Sequence, residues 1–335
     1  MNQRIFSILS LSAFLISAPF LRAQNAPKAD TSHHSVQMIS VEPNVRLEVL
    51  DWGGSGRSLV LLTGLPDTAH VFDDFAPKLA VRYHVYGITR RGRGGSSKPE
   101  QNAANYSASR LGEDVLAVID ALHLNKPVIV GHSIAGEELS YIGSHHAEKV
   151  AGLIYLEAGY PYALYDQASG EFELDAIELR AQLLQFTNGY AMEPVKDYDS
   201  LIANLQRMEK EVEEQQRETG SLPPTSVSPR MTPDLLAIME GRELFTTIHV
   251  PALVIFADED SLAPASGDDP QARAQVARQA LVKRRKELQV AAFKRQVPSA
   301  RVVVIPHATH YVFRSNEDDV LREMNAFIAV LPPAK

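Results

Sequence analysis

Cysteine is absent from this chain of 335 residues, and its absence excludes disulfide bonds, thiolate catalysis and a lipid-modified N-terminal cysteine. Positive charge is also in deficit, because the formal net charge is -8 at pH 7 and the sequence pI is near 5.8. A general nucleic-acid binder needs a basic surface for its phosphate contacts, so we predict no nucleic-acid partner. Phosphate-cradling glycine loops and internal repeats are missing as well. With 45% hydrophobic residues, the chain is suited to a globular enzyme with a sizeable core.

The N-terminus has the pattern of a secretory signal peptide. Arg4 precedes a moderately apolar segment at 5–21, and the small residue Ala23 comes before a polar stretch. We predict a signal peptide over 1–23, a flexible leader over 24–35, and export to the periplasm or the extracellular space. The alternative is a retained membrane anchor, but the segment is shorter and more polar than the roughly 20 apolar residues of a comfortable span. We therefore predict no stable membrane insertion after cleavage.

Short apolar runs alternate with helical patterns from residue 36 onward. The first two runs alternate in polarity and predict an antiparallel hairpin, whereas runs such as 59–62 are continuously apolar, as in strands that are buried on both faces. Apolar residues recur at helical spacing over 70–81 and again after Ser107 and Ser109, which are both candidate helix caps. The alternation predicts an α/β fold with a mostly parallel central sheet and helices on both faces. Its functional site should lie at the carboxyl ends of the strands.

The turn Gly131-His132-Ser133-Ile134-Ala135 carries the strongest chemical signal. A β-branched apolar run precedes the serine and a helix-like stretch follows it, which is the pattern of a nucleophile elbow. Such a turn strains the serine backbone, so the residues two before and two after must be small, as Gly131 and Ala135 are. Ser133 is therefore the candidate nucleophile, and a glycine-rich turn without chemistry is the alternative. His132 is more consistent with packing beneath the elbow than with acting as a base.

This turn and its neighbours resemble the α/β-hydrolase superfamily, of the single-domain type with a helical lid. The loop Gly64-Leu65-Pro66 corresponds to the end of the family's His-Gly-x-Pro oxyanion loop, and the arginine- and glycine-rich stretch at 90–96 corresponds to the loop after its next strand. The elbow at 131–135 follows in the family's order. Two departures occur, since Thr63 replaces the loop histidine and Ala135 replaces the second elbow glycine. The first departure puts in doubt the hydrogen bonding that braces this loop in the family.

The resemblance also implies a base and an acid, in the order nucleophile, acid, histidine. His310 is the implied base, because it follows a small-residue loop and precedes an aromatic residue. Asp260 is the first candidate for the acid, since it lies three residues past a small residue at a strand end and shortly before a proline. Asp258 is the second candidate. Glu157 is the third, because some relatives place the acid after the preceding strand.

The oxyanion donors of the family are backbone amides, which the resemblance places at Leu65 and Ile134. It implies neither a metal nor an organic cofactor. Residues 36–335 form one hydrolase domain, into which the helical lid is inserted at about 160–247. Tyr160 and Tyr162, at the start of the lid, are expected to line the substrate entrance.

Helical patterns recur inside the lid, at 172–186, 198–218 and 232–239. A second helical insertion at 271–297 carries the basic run 283–286. We interpret that run as an exposed helix flank, with weak attraction of an anionic substrate or membrane surface as the alternative.

The sequence thus predicts an exported serine hydrolase, carboxylesterase-like, that acts on small or medium acyl esters through Ser133, His310 and Asp260. A C–C bond hydrolase, a peptidase or a perhydrolase could use the same triad, and a non-catalytic ligand-binding protein could share the fold. Relatives with an aspartate nucleophile, the epoxide hydrolases and haloalkane dehalogenases, are disfavoured because the elbow carries serine. The partner is a small-molecule substrate, and the sequence gives no signal for an oligomeric state.

Overall fold

An eight-stranded sheet forms the centre of the computed structural model, which describes residues 33–188, 198–219, 232–258 and 270–333. In chain order the strands are β1 (Ser35–Glu42), β2 (Val45–Gly53), β3 (Ser58–Leu62), β4 (His84–Ile88), β5 (Val128–His132), β6 (Gly152–Leu156), β7 (Ala252–Asp258) and β8 (Ala300–Pro306). They lie side by side in the order β1-β2-β4-β3-β5-β6-β7-β8. β2 is antiparallel to β1 and to β4, and all other neighbours are parallel. The predicted α/β sheet is confirmed.

The central strands are apolar throughout because both faces of the sheet are covered. In β5, Ile129 packs into the apolar core on one face, whereas Val128 and Val130 pack into the core on the other. Successive side chains of a strand point to opposite faces, so a strand between two cores needs apolar residues at every position. This requirement explains the continuous runs in the sequence and holds the carboxyl ends of the parallel strands at one edge.

The helices are α1 (Ala76–Ala80), α2 (Ala103–Tyr106), α3 (Ala108–Ala121), α4 (Gly136–His145), α5 (Phe172–Asn188), α6 (Tyr198–Thr219), α7 (Pro233–Glu240), α8 (Pro270–Gln296), α9 (Val312–Ser315) and α10 (Glu317–Ala329). The side chain of Ser107 accepts the amide of Arg110 at 3.2 Å and caps α3. The continuous helix predicted over 70–81 is wrong. A 3-10 turn and the short α1 take its place, because the ring of Pro77 removes an amide donor and crowds the preceding turn.

Helices α5, α6 and α7 lie between β6 and β7, within the stretch predicted as a lid. The chain that follows α7 is tied to the α/β core, since the amide of Ala108 donates to the carbonyl of Gly241 at 3.1 Å. Arg242 Nε donates to Glu137 Oε1, at the start of α4, at 2.9 Å. This end of the insertion is therefore anchored beside the helix that follows Ser133.

The predicted signal peptide and most of the predicted leader lie outside the described residues, and β1 begins at Ser35. Within the described part of the chain, no helix combines the length and the apolar character needed to cross a membrane.

A buried ion-pair cluster holds the loop after β4 against the rest of the fold. The side chain of Arg91 is fully buried, and its Nε and Nη2 donate to the two carboxylate oxygens of Asp114 in α3, at 2.7 and 2.5 Å. The same Nη2 donates to Glu42 of β1 at 2.9 Å. A buried charge is costly unless it is paired and hydrogen-bonded, so these contacts depend on one another.

We expect Arg91→Met to lower the free energy of unfolding by about 3–5 kcal/mol, because it leaves Asp114 buried without its partner. The matched control is Lys149→Met, which removes the pair of Lys149 with Asp120, whose side chains are 40% and 63% exposed. Pairs of that kind contribute about 0–1 kcal/mol. Urea denaturation monitored by circular dichroism gives both free energies of unfolding. Equal losses in the two variants would contradict the conclusion that the buried Arg91–Asp114 pair stabilises the fold.

Candidate active site

Ser133 lies at the turn between β5 and α4 with a backbone φ of 56°, in the left-handed region that non-glycine residues rarely adopt. The crowding expected around such a turn is present. A Cβ on Gly131 would lie 2.8 Å from Leu139 Cδ1 and 3.0 Å from Ala135 Cβ, so the small residues on either side of the serine are required. The strained turn presents the serine hydroxyl at the carboxyl edge of the sheet, the geometry of a nucleophile elbow.

His310 lies in the loop after β8, and its ring joins Ser133 to a carboxylate. Its Nε2 is 3.0 Å from Ser133 Oγ, and its Nδ1 is 3.4 Å from Glu157 Oε2. With the ring proton on Nδ1 directed at Glu157, Nε2 is free to accept the serine hydroxyl proton. The structure therefore brings together the predicted nucleophile and the predicted base.

Glu157 follows β6 directly, is fully buried and has a φ of 49°. Its Oε1 accepts the amide of Ala257 at 2.5 Å and lies 3.4 Å from Lys286 Nζ, and its Oε2 accepts the hydroxyl of Tyr160 at 2.5 Å. Burial acts to raise the pKa of Glu157, but the hydrogen bond from His310 and the charge of Lys286 outweigh burial and hold the pKa below its ordinary value. At neutral pH the carboxylate is ionised.

The carboxylate beside His310 Nδ1 belongs to the third candidate from the sequence. Asp260, the first candidate, lies outside the described residues and stays a prediction. Asp258, the second candidate, is the last residue of β7. Because β6 lies next to β5 in the sheet and β7 lies one strand further away, the end of β6 is closer to the serine turn. The observation that favours Glu157 is the distance of 3.4 Å between its Oε2 and His310 Nδ1.

The loop at 63–67 packs against the elbow. A Cβ on Gly64 would lie only 3.0 Å from Ser133 Cβ, so glycine is needed for this approach. The carbonyl of Thr63 accepts Arg90 Nη2 at 2.9 Å, and Asp67 accepts the hydroxyl of Tyr311 at 3.1 Å. The loop is therefore braced by an arginine and a tyrosine, with threonine in the place of the family's histidine.

The two predicted entrance residues differ in what they contact. The hydroxyl of Tyr160 donates to Glu157, so this side chain supports the acid. Tyr162 and Leu65 pack against the apolar cluster that contains Ile134. Tyr162 therefore packs on the same apolar cluster as Leu65 and Ile134, whose amides were predicted as oxyanion donors.

His132 lies beneath the elbow, as expected. Its ring is buried, and its Nε2 donates to the backbone carbonyl of His310 at 3.0 Å. Burial, followed by repulsion from His310, lowers the pKa of His132 to about 3. The ring is therefore neutral at physiological pH and holds the loop that carries His310.

No group of three or more histidine and acidic side chains that could hold a metal ion occurs among the residues with described positions. The chemistry that the site offers comes from a hydroxyl, an imidazole and a carboxylate in hydrogen-bonding order. A nucleophile next to a base, with the base oriented by a third group, is the arrangement that activates serine for attack on a carbonyl.

Comparison with known proteins identifies the family of this fold. Residues 59–323 match the profile of the alpha/beta hydrolase family. A fluoroacetate dehalogenase of a Burkholderia species is 33% identical over 117 residues, 34% of this chain and 38% of that enzyme, so the chain spans well under half of that relative. A 2-(acetamidomethylene)succinate hydrolase of Mesorhizobium japonicum is 22% identical over 82% of this chain and 89% of that enzyme. The crystal structure of an inhibitor-bound Bacillus megaterium epoxide hydrolase, 18% identical, aligns with 88% of this chain and 100% of its own at a TM-score of 0.54.

The low pKa of His132 makes the stability of the fold depend on pH. An unfolded histidine takes up a proton below about pH 6.5, whereas the folded ring does so only near pH 3. Stability should therefore fall as the pH drops through this window, by about 2 kcal/mol at pH 5 from this group alone. We expect His132→Gln to lose less stability than the wild type between pH 7.5 and pH 5, by about that amount. Parallel losses in urea denaturation at the two pH values would show that His132 is not the buried neutral ring described.

Proposed function

Because the chain belongs to the alpha/beta hydrolase family, we propose that it is a serine hydrolase that cleaves ester bonds of small or medium acyl substrates by two-step acyl transfer. The observation that carries the proposal is the distance of 3.0 Å between Ser133 Oγ and His310 Nε2, with the Glu157 carboxylate on the other ring nitrogen. The substrate is a small molecule. The N-terminal sequence supports export before the enzyme acts.

In the first step, Ser133 Oγ attacks the ester carbonyl while His310 Nε2 takes the hydroxyl proton. The imidazolium then returns that proton to the departing alkoxide, which leaves as the alcohol. In the second step His310 takes a proton from water, the resulting hydroxide equivalent attacks the acyl-enzyme, and Ser133 is released with its proton restored. The products are the alcohol and the acid.

Glu157 serves as the acid of this triad. As an ionised carboxylate at His310 Nδ1 it keeps the ring proton on that nitrogen and offsets the positive charge that forms when Nε2 accepts a proton. The distance of 3.4 Å is long for a hydrogen bond, but catalytic hydrogen bonds often tighten only when the substrate is bound. Asp260 is the alternative acid.

The amides of Leu65 and Ile134 are the proposed oxyanion donors. Ile134 follows the nucleophile at the start of a helix, where the first amides have no partner within the helix. Leu65 lies in the loop that approaches Ser133 closely at Gly64. Preorganised amides on the developing negative charge contribute about 10²–10³-fold to the rate.

The named relatives differ in the bonds that they break, so similarity alone does not give the reaction. The serine in the elbow favours acyl transfer over the epoxide and halide chemistry of the aspartate-nucleophile branches. Among acyl-transfer reactions we place esters first, because nucleophile, base, acid and oxyanion donors are all that an ester requires. A C–C bond hydrolase, peptidase or perhydrolase on the same triad remains the alternative class.

We expect the purified protein to hydrolyse p-nitrophenyl esters, with an optimum at a particular acyl chain length that reports the depth of the pocket. Ser133→Ala should lower kcat by at least about 10⁴-fold, because the nucleophile is lost. Release of p-nitrophenolate measures both. A wild type that turns over no ester but is labelled at Ser133 by a fluorophosphonate would contradict the ester assignment and leave the triad intact. A wild type that is neither active nor labelled would favour the ligand-binding alternative.

The choice of acid gives a separate prediction. Glu157→Gln should lower kcat by about 10³–10⁴-fold, because the amide no longer offsets the imidazolium charge. Asp260→Asn is the matched control and should keep kcat within about threefold of the wild type, which is less than 1 kcal/mol of barrier. The reverse ranking of the two variants would identify Asp260 as the acid and refute Glu157.

A further inference from the structure

Lys286 belongs to the basic run at 283–286, which was expected to form an exposed helix flank, yet it points into the fold. Its side chain is only 13% exposed, and its Nζ lies 3.4 Å from Glu157 Oε1. The same Nζ donates to the carbonyl of Ala257 at 2.6 Å. One ammonium group therefore links the end of β6 to the end of β7, directly behind the acid of the triad.

The packing of α8 explains why this lysine faces inward. Gln289 Nε2 donates to the carbonyl of Leu164, in the chain that follows the acid, at 2.8 Å. Phe293 is fully buried, with its ring centroid 5.6 Å from that of Tyr155 in β6. Lys286, Gln289 and Phe293 are spaced by three and four residues and so lie on one face of the helix. That face is held against the carboxyl edge of the sheet.

Lys286 and His310 contact different oxygens of the Glu157 carboxylate. Oε1 of Glu157 receives the Ala257 amide and the Lys286 ammonium, while Oε2 receives the Tyr160 hydroxyl and faces His310. A buried carboxylate is stable only when its charge is paired and its lone pairs are satisfied. The lysine occupies the oxygen that does not face the histidine, so it can fix the carboxylate without competing for the ring.

We propose that Lys286 is a positioning residue of the triad, which holds the Glu157 carboxylate in the orientation that His310 needs and balances its negative charge. The proposal rests on the proposed function of Ser133 as a nucleophile. Lys286, in the helix between β7 and β8, would then support the triad from behind Glu157. This gives a role to the inward-facing residue of the basic run at 283–286.

The charge of Lys286 has a predictable effect on protonation. The ionisable groups that interact with Glu157 are His310, Lys286, Tyr160, His132 and Tyr162. Removal of the cation leaves the carboxylate less well balanced, so the unit formed by Glu157 and His310 binds a proton more tightly. An opposite charge at this distance shifts protonation by about one pH unit or more. The acid limb of Ser133 reactivity should therefore move to higher pH.

The test is the rate constant for labelling of Ser133 by a fluorophosphonate, measured from about pH 5 to pH 9 on the full-length protein. In Lys286→Gln we expect the acid limb to move up by about one pH unit, with labelling about tenfold slower below the limb. Lys286→Arg keeps the cation and should keep the limb near that of the wild type. The matched control is Lys294→Gln, which neutralises an exposed lysine of the same helix and should leave the profile unchanged.

Each outcome separates this proposal from the proposed function. If the wild type is labelled at Ser133 and Lys286→Gln has the same pH profile, the positioning role is overturned while the nucleophile stands. If the wild type is not labelled at all, the proposed function itself fails. A uniform loss of labelling at every pH in Lys286→Gln would indicate a purely structural contact and would also overturn the proposal. Should Lys286→Gln not fold, Lys286→Met keeps the aliphatic stem and carries the same comparison.

Discussion

The site depends on one buried negative charge. Glu157 has no exposed surface, and its residence there requires donors from several elements that are distant in the sequence. The Ala257 amide comes from β7, the ammonium from Lys286 in α8 and the ring proton from His310 after β8. Without these donors, a carboxylate buried at this position would take up a proton. Glu157 can therefore stay ionised only when β7, α8 and the loop after β8 are folded around it.

Two of the residues proposed to carry the chemistry have strained backbones. Ser133 and Glu157 both have positive φ angles, 56° and 49°, at the ends of the neighbouring strands β5 and β6. Such conformations cost free energy and persist only where the surrounding structure enforces them. Here the sheet enforces them, because parallel strands buried between two apolar cores cannot slide to relieve their terminal turns. His132, neutral beneath the elbow, joins the serine turn to the histidine loop.

Local patterns sufficed to predict the strands and Ser133, since each is marked by its immediate neighbours. The elbow needs small residues at fixed offsets, whereas His310 was identified through the resemblance to the family. The resemblance placed the acid first after β7 and Glu157 only third, because just some relatives carry the acid after β6; the contact of Glu157 with His310 depends on tertiary packing, which no local pattern contains. The inward direction of Lys286 depends on which face of α8 meets the sheet. By contrast, the break in the helix predicted over 70–81 has a local cause in the sequence, the proline at position 77.

The central claim is that the Nδ1 proton of His310 is held by Glu157. The far-downfield proton NMR resonance of a histidine Nδ1–H bound to a carboxylate reports this contact directly and needs no substrate. We expect the resonance to be present in the wild type and in the Asp260→Asn variant, and to be lost or moved far upfield in Glu157→Gln. A resonance that survives in Glu157→Gln and disappears in Asp260→Asn would contradict the central claim.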